Sequence, residues 1–472
     1  MNFFEKLNQN RLNKFKEESK SKEKSRTIAS EVLDDGTIIE MLLDPIKKET
    51  SLAICKEGNI SFEKLFNDNG TKLKPYSADN NLIRTKTILF PSQPEEYDSQ
   101  AELIHEIQEF IHKYLSVSEF FEQIASYYVL FTWIHDNFNE LPYLRGLGDY
   151  GTGKSRFLQV VGSICYRPIF ASGATTVSPI FRMLNDFKGT LILDEADFKF
   201  SDTTAEIVKI LNQGFMKGIP VIRSENSNGN EYNPQAFEVF GAKILSTRFL
   251  YKDAALESRM ITEDMNLNSP RSDIPFNMPD SFREEALEIR NKLLMFRFRN
   301  KGKIKLKPEL ENREIEPRLN QIAVPLMSIV DDSELVKEIQ EHIREYNEKI
   351  KTDRTLNLNY QILDAICQLI DNGLVEPTIK EIAFKFNEDL DPFETITAKK
   401  MGYFVSKHLN LKTSKSSRGY VLSRDNRKTI EMLRKRYAID QKKDISGGMN
   451  NVNDMNIASE DSTEEIPLNN LF

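Results

Sequence analysis

One run of residues constrains this chain more than any other: Gly148-Asp149-Tyr150-Gly151-Thr152-Gly153-Lys154-Ser155 fits G-x-x-x-x-G-K-[ST] at every fixed position. Glycines at 148, 151 and 153 let the backbone turn tightly and aim successive N–H groups inward, where a side chain would block a phosphate. Lys154 then reaches the β- and γ-phosphates of a nucleotide, and Ser155 offers a hydroxyl to Mg2+. Leu141-Pro142-Tyr143-Leu144-Arg145 reads as the strand entering this loop and Phe157-Leu158-Gln159-Val160-Val161 as the opening of the helix leaving it, so a helix N-terminus faces the phosphates. The alternative is a glycine turn that matches by chance, and a second motif argues against it.

That motif is Thr190-Leu191-Ile192-Leu193-Asp194-Glu195-Ala196-Asp197. An apolar run ending in acids suits a buried parallel strand with carboxylates at its C-terminal edge, where ligands of α/β sheets bind. Asp194 is placed to hold Mg2+ through water and Glu195 to polarise an attacking water. The strand alone would also fit a core strand running into an acidic loop.

The length of 472 residues exceeds what one core usually serves, and a formal charge of −8 confines any nucleic-acid contact to a local basic patch. Cys55, Cys165 and Cys367 are far apart and lack metal-ligand spacing, which suits reduced thiols and a cytoplasmic setting. No run approaches the ~18 apolar residues needed to span a bilayer, and the N-terminus has no apolar targeting core.

In chain order, residues 1–98 read as a small β-rich α+β domain behind a Lys/Glu-rich arm, with Thr37–Leu43 and Ser51–Cys55 as strands. Ala101–Leu115 and Val117–Phe138 have helical apolar spacing, and their histidines lack ligand partners. Pro168–Ser172 is a second strand, and Ser178 and Pro179 suit the N-cap and first position of a helix. Thr204–Phe215 is a helix. Residues 219–240 form two apolar runs about an Asn/Ser/Gly turn, a hairpin signal, with Lys217 and Arg223 at its base. Lys243–Arg248 is a strand ending in polar residues.

The order of phosphate loop, Asp-Glu strand, polar-ended strand and the box Asp253-Ala254-Ala255-Leu256-Glu257-Ser258-Arg259 resembles AAA+ ATPases over roughly residues 120–350. The resemblance implies a core over 99–270, a helical lid over 271–354, and ATP with Mg2+ as ligands. It implies that Thr247, or failing that Ser246, senses the γ-phosphate, and that Arg259 enters the neighbouring subunit's nucleotide site, which requires a ring or helical homo-oligomer. Arg318, in Glu316-Pro317-Arg318-Leu319, resembles the second sensor, which acts in cis; a surface ion pair is the alternative. The hairpin is placed like the pore hairpins of related helicases, although its tip has no lysine, so a plain connection is equally compatible.

Residues 355–440 show three helical segments, Tyr360–Asn372, Thr378–Asn387 and Thr397–Leu409, followed by Leu409–Thr413 and Gly419–Leu422 about a polar turn. This resembles a winged helix. Lys399, Lys400 and Lys407 on the third segment and Lys412, Lys415 and Arg418 in the wing are its candidate DNA contacts. Docking of a protein is the other use of such a module. Residues 441–472 have the composition of a disordered tail, whose Ile466-Pro467-Leu468 and Leu471-Phe472 could engage a partner.

The expectation is an α/β chain with an AAA+ parallel-sheet core, helical lid, N-terminal α+β domain and C-terminal winged helix. It would work as a DNA helicase, translocase or replication initiator of the kind found in mobile elements and plasmids. A loader or remodeller of a protein partner and a nucleotide-switched DNA-binding regulator are the alternatives.

Overall fold

The computed structural model describes residues 24–197, 202–227, 231–251, 253–267, 271–355, 358–388, 395–437 and 439. The charged N-terminal arm, the hairpin tip at 228–230 and the C-terminal tail lie outside them. The chain divides into two compact units, Met1–Arg344 and Glu345–Phe472.

The first unit begins with short strands set by apolar runs and glycine turns: β1 (Lys24–Ile28), β2 (Ser30–Val32), β3 (Ile38–Asp44), β4 (Glu49–Lys56), β5 (Asn59–Glu63), β6 (Phe66–Asp68) and β7 (Thr71–Pro75). They form an antiparallel sheet, β2-β3-β4-β5, and a smaller sheet, β1-β7-β6. In the first, Ile39 opposes Ile54 and Met41 opposes Leu52. Those four side chains share one buried cluster with Tyr143, Ile169, Leu191 and Leu245 further along the chain. The N-terminal sheet therefore has no separate core.

Helices α1 (Asn81–Arg84), α2 (Gln100–Tyr114) and α3 (Glu119–Trp133) follow. Ser99 and Ser118 cap the last two by accepting from the N–H groups of Glu102 and Phe121. The chain then alternates: β8 (Tyr143–Leu147), α4 (Lys154–Ser163), β9 (Ile169–Ser172), α5 (Val177–Phe187), β10 (Leu191–Asp194) and α6 (Asp202–Gln213). After the antiparallel hairpin β11 (Val221–Ser227) and β12 (Glu231–Phe237) come β13 (Lys243–Thr247), α7 (Ala254–Glu257) and β14 (Met260–Asp264). Strands β14-β8-β13-β10-β9, in that order, make a parallel sheet. Their apolar residues are buried, as strands covered on both faces require. Register brings Leu147, Thr247 and Asp264 level at the C-terminal edge, with Asp194 ending β10 at the same edge.

Two local expectations shift. Helix α5 starts at Val177 behind Thr176, not behind Ser178, so Pro179 is its third residue; a first-turn N–H has no intrahelical acceptor, so proline is tolerated there. At the hairpin base Lys217 donates to the Asp136 carbonyl at 2.8 Å and Arg223 pairs with Glu206 at 3.1 Å. Both basic groups are engaged within the chain.

The unit continues with α8 (Ser281–Asn300) and α9 (Pro317–Met327), and its boundary falls within α10 (Ser333–Thr355). On α8, Arg297 is 1% exposed and donates to Glu40 at 2.6 Å and to both oxygens of Asp136 at 3.0 Å. Glu40 also accepts from Ser30 and Tyr166. This buried network joins the N-terminal sheet to α8 and to the residues after α3.

The second unit contains α11 (Leu358–Asp371), α12 (Ile379–Asn387), α13 (Ala398–Tyr403) with a wider turn over Phe404–His408, the antiparallel ribbon β15 (Thr413–Ser416) and β16 (Gly419–Leu422), and α14 (Arg427–Tyr437). A capping box between Thr378 and Glu381 opens α12. The first ribbon strand lies later than the sequence suggests, because Ser416 pairs with Gly419 and leaves only Ser417 and Arg418 to turn. Among the described residues no helix is long and apolar enough to cross a membrane, and the three cysteines are buried and unpaired.

Candidate active site

The loop between β8 and α4 takes the form its glycines permit. Gly151 and Gly153 adopt φ of 77° and 90°, a region that opposes side chains. At Gly148 the objection is space, since a Cβ would lie 2.7 Å from the Thr152 hydroxyl and 3.0 Å from Met265. The Asp149 N–H is held by the Asn266 side chain at 2.8 Å, and Thr152 donates to the Asp149 carbonyl at 2.9 Å. Lys154 turns into the loop and donates to the carbonyls of Gly148, at 2.6 Å, and Asp149. Burial and the nearby Arg248 lower its pKa, against the pull of Asp197, Asp194 and Asp149. Tyr150 is exposed on the loop.

The acid strand arrives alongside. Ser155, in the first turn of α4, donates to Asp194 Oδ2 at 2.8 Å. Ser246, in β13 between β8 and β10, donates to Asp194 Oδ1 at 2.5 Å and accepts from the Glu195 N–H at 3.0 Å. Glu195 then turns out of the strand at a φ of 53° and is exposed. A hydroxyl and a carboxylate side by side at a phosphate loop fit a Mg2+ that keeps most of its waters and completes its sphere from phosphate oxygens. Ser155 and Asp194 would hold that ion, which supplies charge neutralisation to the transferred phosphoryl.

Gly173, just after β9, lies against this turn: a Cβ there would meet the Glu195 carbonyl at 2.5 Å. We expect Gly173→Ala to displace Glu195 and lower ATP turnover at least ~10-fold, on the scale by which small misplacements weaken catalysis, while nucleotide affinity stays near wild type. Parallel turnover and binding titrations check this.

Three of the sequence-assigned residues lie apart from the acid pair. Thr247 is not brought to the acids; it is fully buried, its hydroxyl has no partner among the described residues, and its carbonyl accepts from Gly148 at 3.0 Å. Neighbouring strand residues face opposite ways, so Ser246 is the side chain in contact with Asp194. Arg259 immediately precedes β14, at the end of the sheet away from the phosphate loop, roughly 15 Å along the strand. It is 5% exposed, its guanidinium carbon 4.0 Å from the centre of the Phe215 ring, and it bonds Asn212 and the Ala255 carbonyl. Arg318, exposed at the start of α9, reaches Ser258 at 3.4 Å and so belongs with Arg259 rather than with the phosphate loop.

The residues that sequence reasoning passed over as site components are Gly173, Arg248 and Asn266. Asn266 has no motif, and Gly173 is one more loop glycine until Glu195 is seen beside it. In the second unit, Lys399, Lys400, Lys407, Lys412, Lys415 and Arg418 are all exposed. A groove of about 480 Å3 between α12, α13 and the ribbon is lined by Thr378, Lys380, Lys399, Gly402, Arg418 and Tyr420, among others.

No family model matches the sequence, and no curated protein matches it. Solved structures resemble it distantly. The apo C-terminal region of NrS-1 aligns over 81% of this chain and 96% of its own at 10% identity and a TM-score of 0.34. The SCCmec type IV Cch active helicase aligns over 71% and 78% at 12% identity and 0.34. JCV helicase aligns over 56% and 64% at 12% identity and 0.23. Scores this low carry no weight in assigning the site, which rests on its own residues.

Proposed function

We propose that the chain is an ATP-hydrolysing P-loop motor of the AAA+ kind that acts on DNA as a helicase, translocase or replication initiator. The observation that carries this reading is the convergence of Lys154, Ser155, Asp194, Glu195 and Ser246 at one edge of the parallel sheet. ATP binds with its phosphates on the loop and with Mg2+ at Ser155 and Asp194. Glu195 accepts a proton from, and aims, the attacking water. Ser246 ties Asp194 to the Glu195 backbone, so the acid pair moves as one element. Assembly into a homo-oligomer belongs to the reading, and a finger role for Arg259 requires its release from Phe215.

The second unit, read as a winged helix, supplies DNA contact through its exposed lysines and Arg418. Neutralised phosphates set the salt dependence of binding, with a slope of about −0.9 per contact on duplex DNA. We expect Lys399→Ala, Lys407→Ala and Lys415→Ala each to weaken duplex binding across unrelated sequences and to flatten the slope by about one. Anisotropy titrations over a salt series measure both. Unchanged slopes in all three would turn the unit into a protein-docking module.

Strand separation tests the motor directly. Wild type should separate a forked duplex with ATP and Glu195→Gln should not. ATP turnover without separation would favour the loader or remodeller.

A further inference from the structure

A second concavity in the first unit lies away from the site described above. It is a cavity of about 780 Å3 between residues 26–32 of the N-terminal strands, residues 217–220 at the hairpin base and the segments that enter β9 and β10. Arg167 and Lys188, on its wall, stand just before β9 and β10. The cavity therefore sits at the edge of the parallel sheet opposite the phosphate loop, roughly 15 Å away along a strand.

Much of the charge on this wall is already matched. Arg26 pairs with Glu31 at 3.0 Å, Arg297 with Glu40 at 2.6 Å, and Lys217 donates to the Asp136 carbonyl at 2.8 Å. Asp186, Lys188 and Glu238 are exposed. Arg167 differs. It is 2% exposed, its guanidinium carbon is 4.0 Å from the centre of the Tyr166 ring, and its Nη2 donates to the Tyr166 hydroxyl. Its Nε and Nη1 are buried with no hydrogen-bond partner among the described residues. Glu40 Oε2, 4.0 Å from Nε, is beyond hydrogen-bond reach. Buried donors of a charged group are costly to leave unmatched, and an anion entering the cavity removes that penalty.

We propose that this cavity is a ligand site for a small molecule carrying a phosphate or carboxylate, with Arg167 as its anchor. The volume falls in the range of small-molecule sites, and the guanidinium fork matches two oxygens of either group. Rotation off the Tyr166 ring turns Nε and Nη1 toward the ligand. Tyr76 and Phe240 give the wall apolar faces for the body of the molecule. A ligand held there touches the N-terminal strands and the hairpin base together, so it restrains one against the other. The inference does not depend on the phosphate-loop reading of residues 148–155.

The test uses the full chain carrying Lys154→Ala, to take the loop out of the measurement, titrated with sodium phosphate, with sodium citrate and with sodium chloride at matched ionic strength. Phosphate or citrate should bind and slow amide exchange over residues 26–32 and 217–220, and chloride should do neither. Adding Arg167→Met should abolish binding. Arg167→Lys keeps the charge but loses the fork, and should weaken binding at least about tenfold, the scale of a hydrogen bond to a charged group. Binding of phosphate alone assigns a phosphorylated ligand, and of citrate alone a carboxylated one. No binding of either, an equal response to chloride, or affinity unchanged in both Arg167 variants overturns the inference. Should both variants fail to fold, the exchange pattern of the chain that keeps Arg167 decides: protection by phosphate or citrate over 26–32 and 217–220 supports the site, and protection elsewhere only overturns it.

Discussion

Glu195→Gln should lower steady-state ATP turnover by about a thousandfold, within the 10²–10⁴ that a positioned general base contributes, and leave ATP affinity within about twofold. The substitution keeps the shape of the side chain and removes only its ability to take a proton. The turn that presents residue 195 is built from other atoms: its N–H is held by Asp194 Oδ1 at 2.9 Å and Ser246 Oγ at 3.0 Å, and its carbonyl lies against Gly173. The variant should therefore place glutamine where glutamate stood. Turnover assays paired with equilibrium ATP binding check this. Turnover within tenfold of wild type would assign the water to another group.

The second large effect is on stability. Arg297→Met should destabilise the first unit by about 3–5 kcal/mol, the range for removing one partner from a buried ion pair, because Glu40 and Asp136 then lose the guanidinium they share and keep only the longer contacts of Arg167, at 4.0 Å, and Lys301, at 3.4 Å. Burial alone would raise the Asp136 carboxyl, yet the Arg297 guanidinium on both its oxygens outweighs this and holds it well below the carboxylate range. A depressed carboxyl gives stability that is fully present above its unfolded pKa of about 4 and is lost as the pH falls below that. Denaturant titrations at neutral pH should show the full loss in Arg297→Met, and the gap from wild type should narrow in acid. The exposed pair of Lys337 with Glu334 is the control, where Lys337→Ala should leave the midpoint unchanged.

What the sequence made legible is what depends on local chemistry. The phosphate loop needs glycine at positions that only backbone geometry and close contact explain, and the acids must end a buried strand, so Lys154, Ser155, Asp194 and Glu195 converge wherever such elements form. What it hid depends on register and packing. Whether Ser246 or Thr247 meets Asp194 is a matter of strand parity, fixed only once β13 lies between β8 and β10. Arg259 reads as a free cation until Phe215 is seen beneath it. The N-terminal strands look like a separate domain in a linear pattern, and only the packing of Ile39, Met41, Leu52 and Ile54 onto the parallel sheet shows the shared core. Strand β14 escaped notice because its five residues, Met260–Asp264, end in two acids.

The most direct test of the account is steady-state ATP hydrolysis by the purified chain, alone and with single-stranded or duplex DNA, with Glu195→Gln as the blank. The account predicts Mg2+-dependent turnover that Glu195→Gln abolishes and DNA increases. Turnover equal in wild type and Glu195→Gln would contradict the assignment of the site, and turnover indifferent to both forms of DNA would contradict the DNA motor.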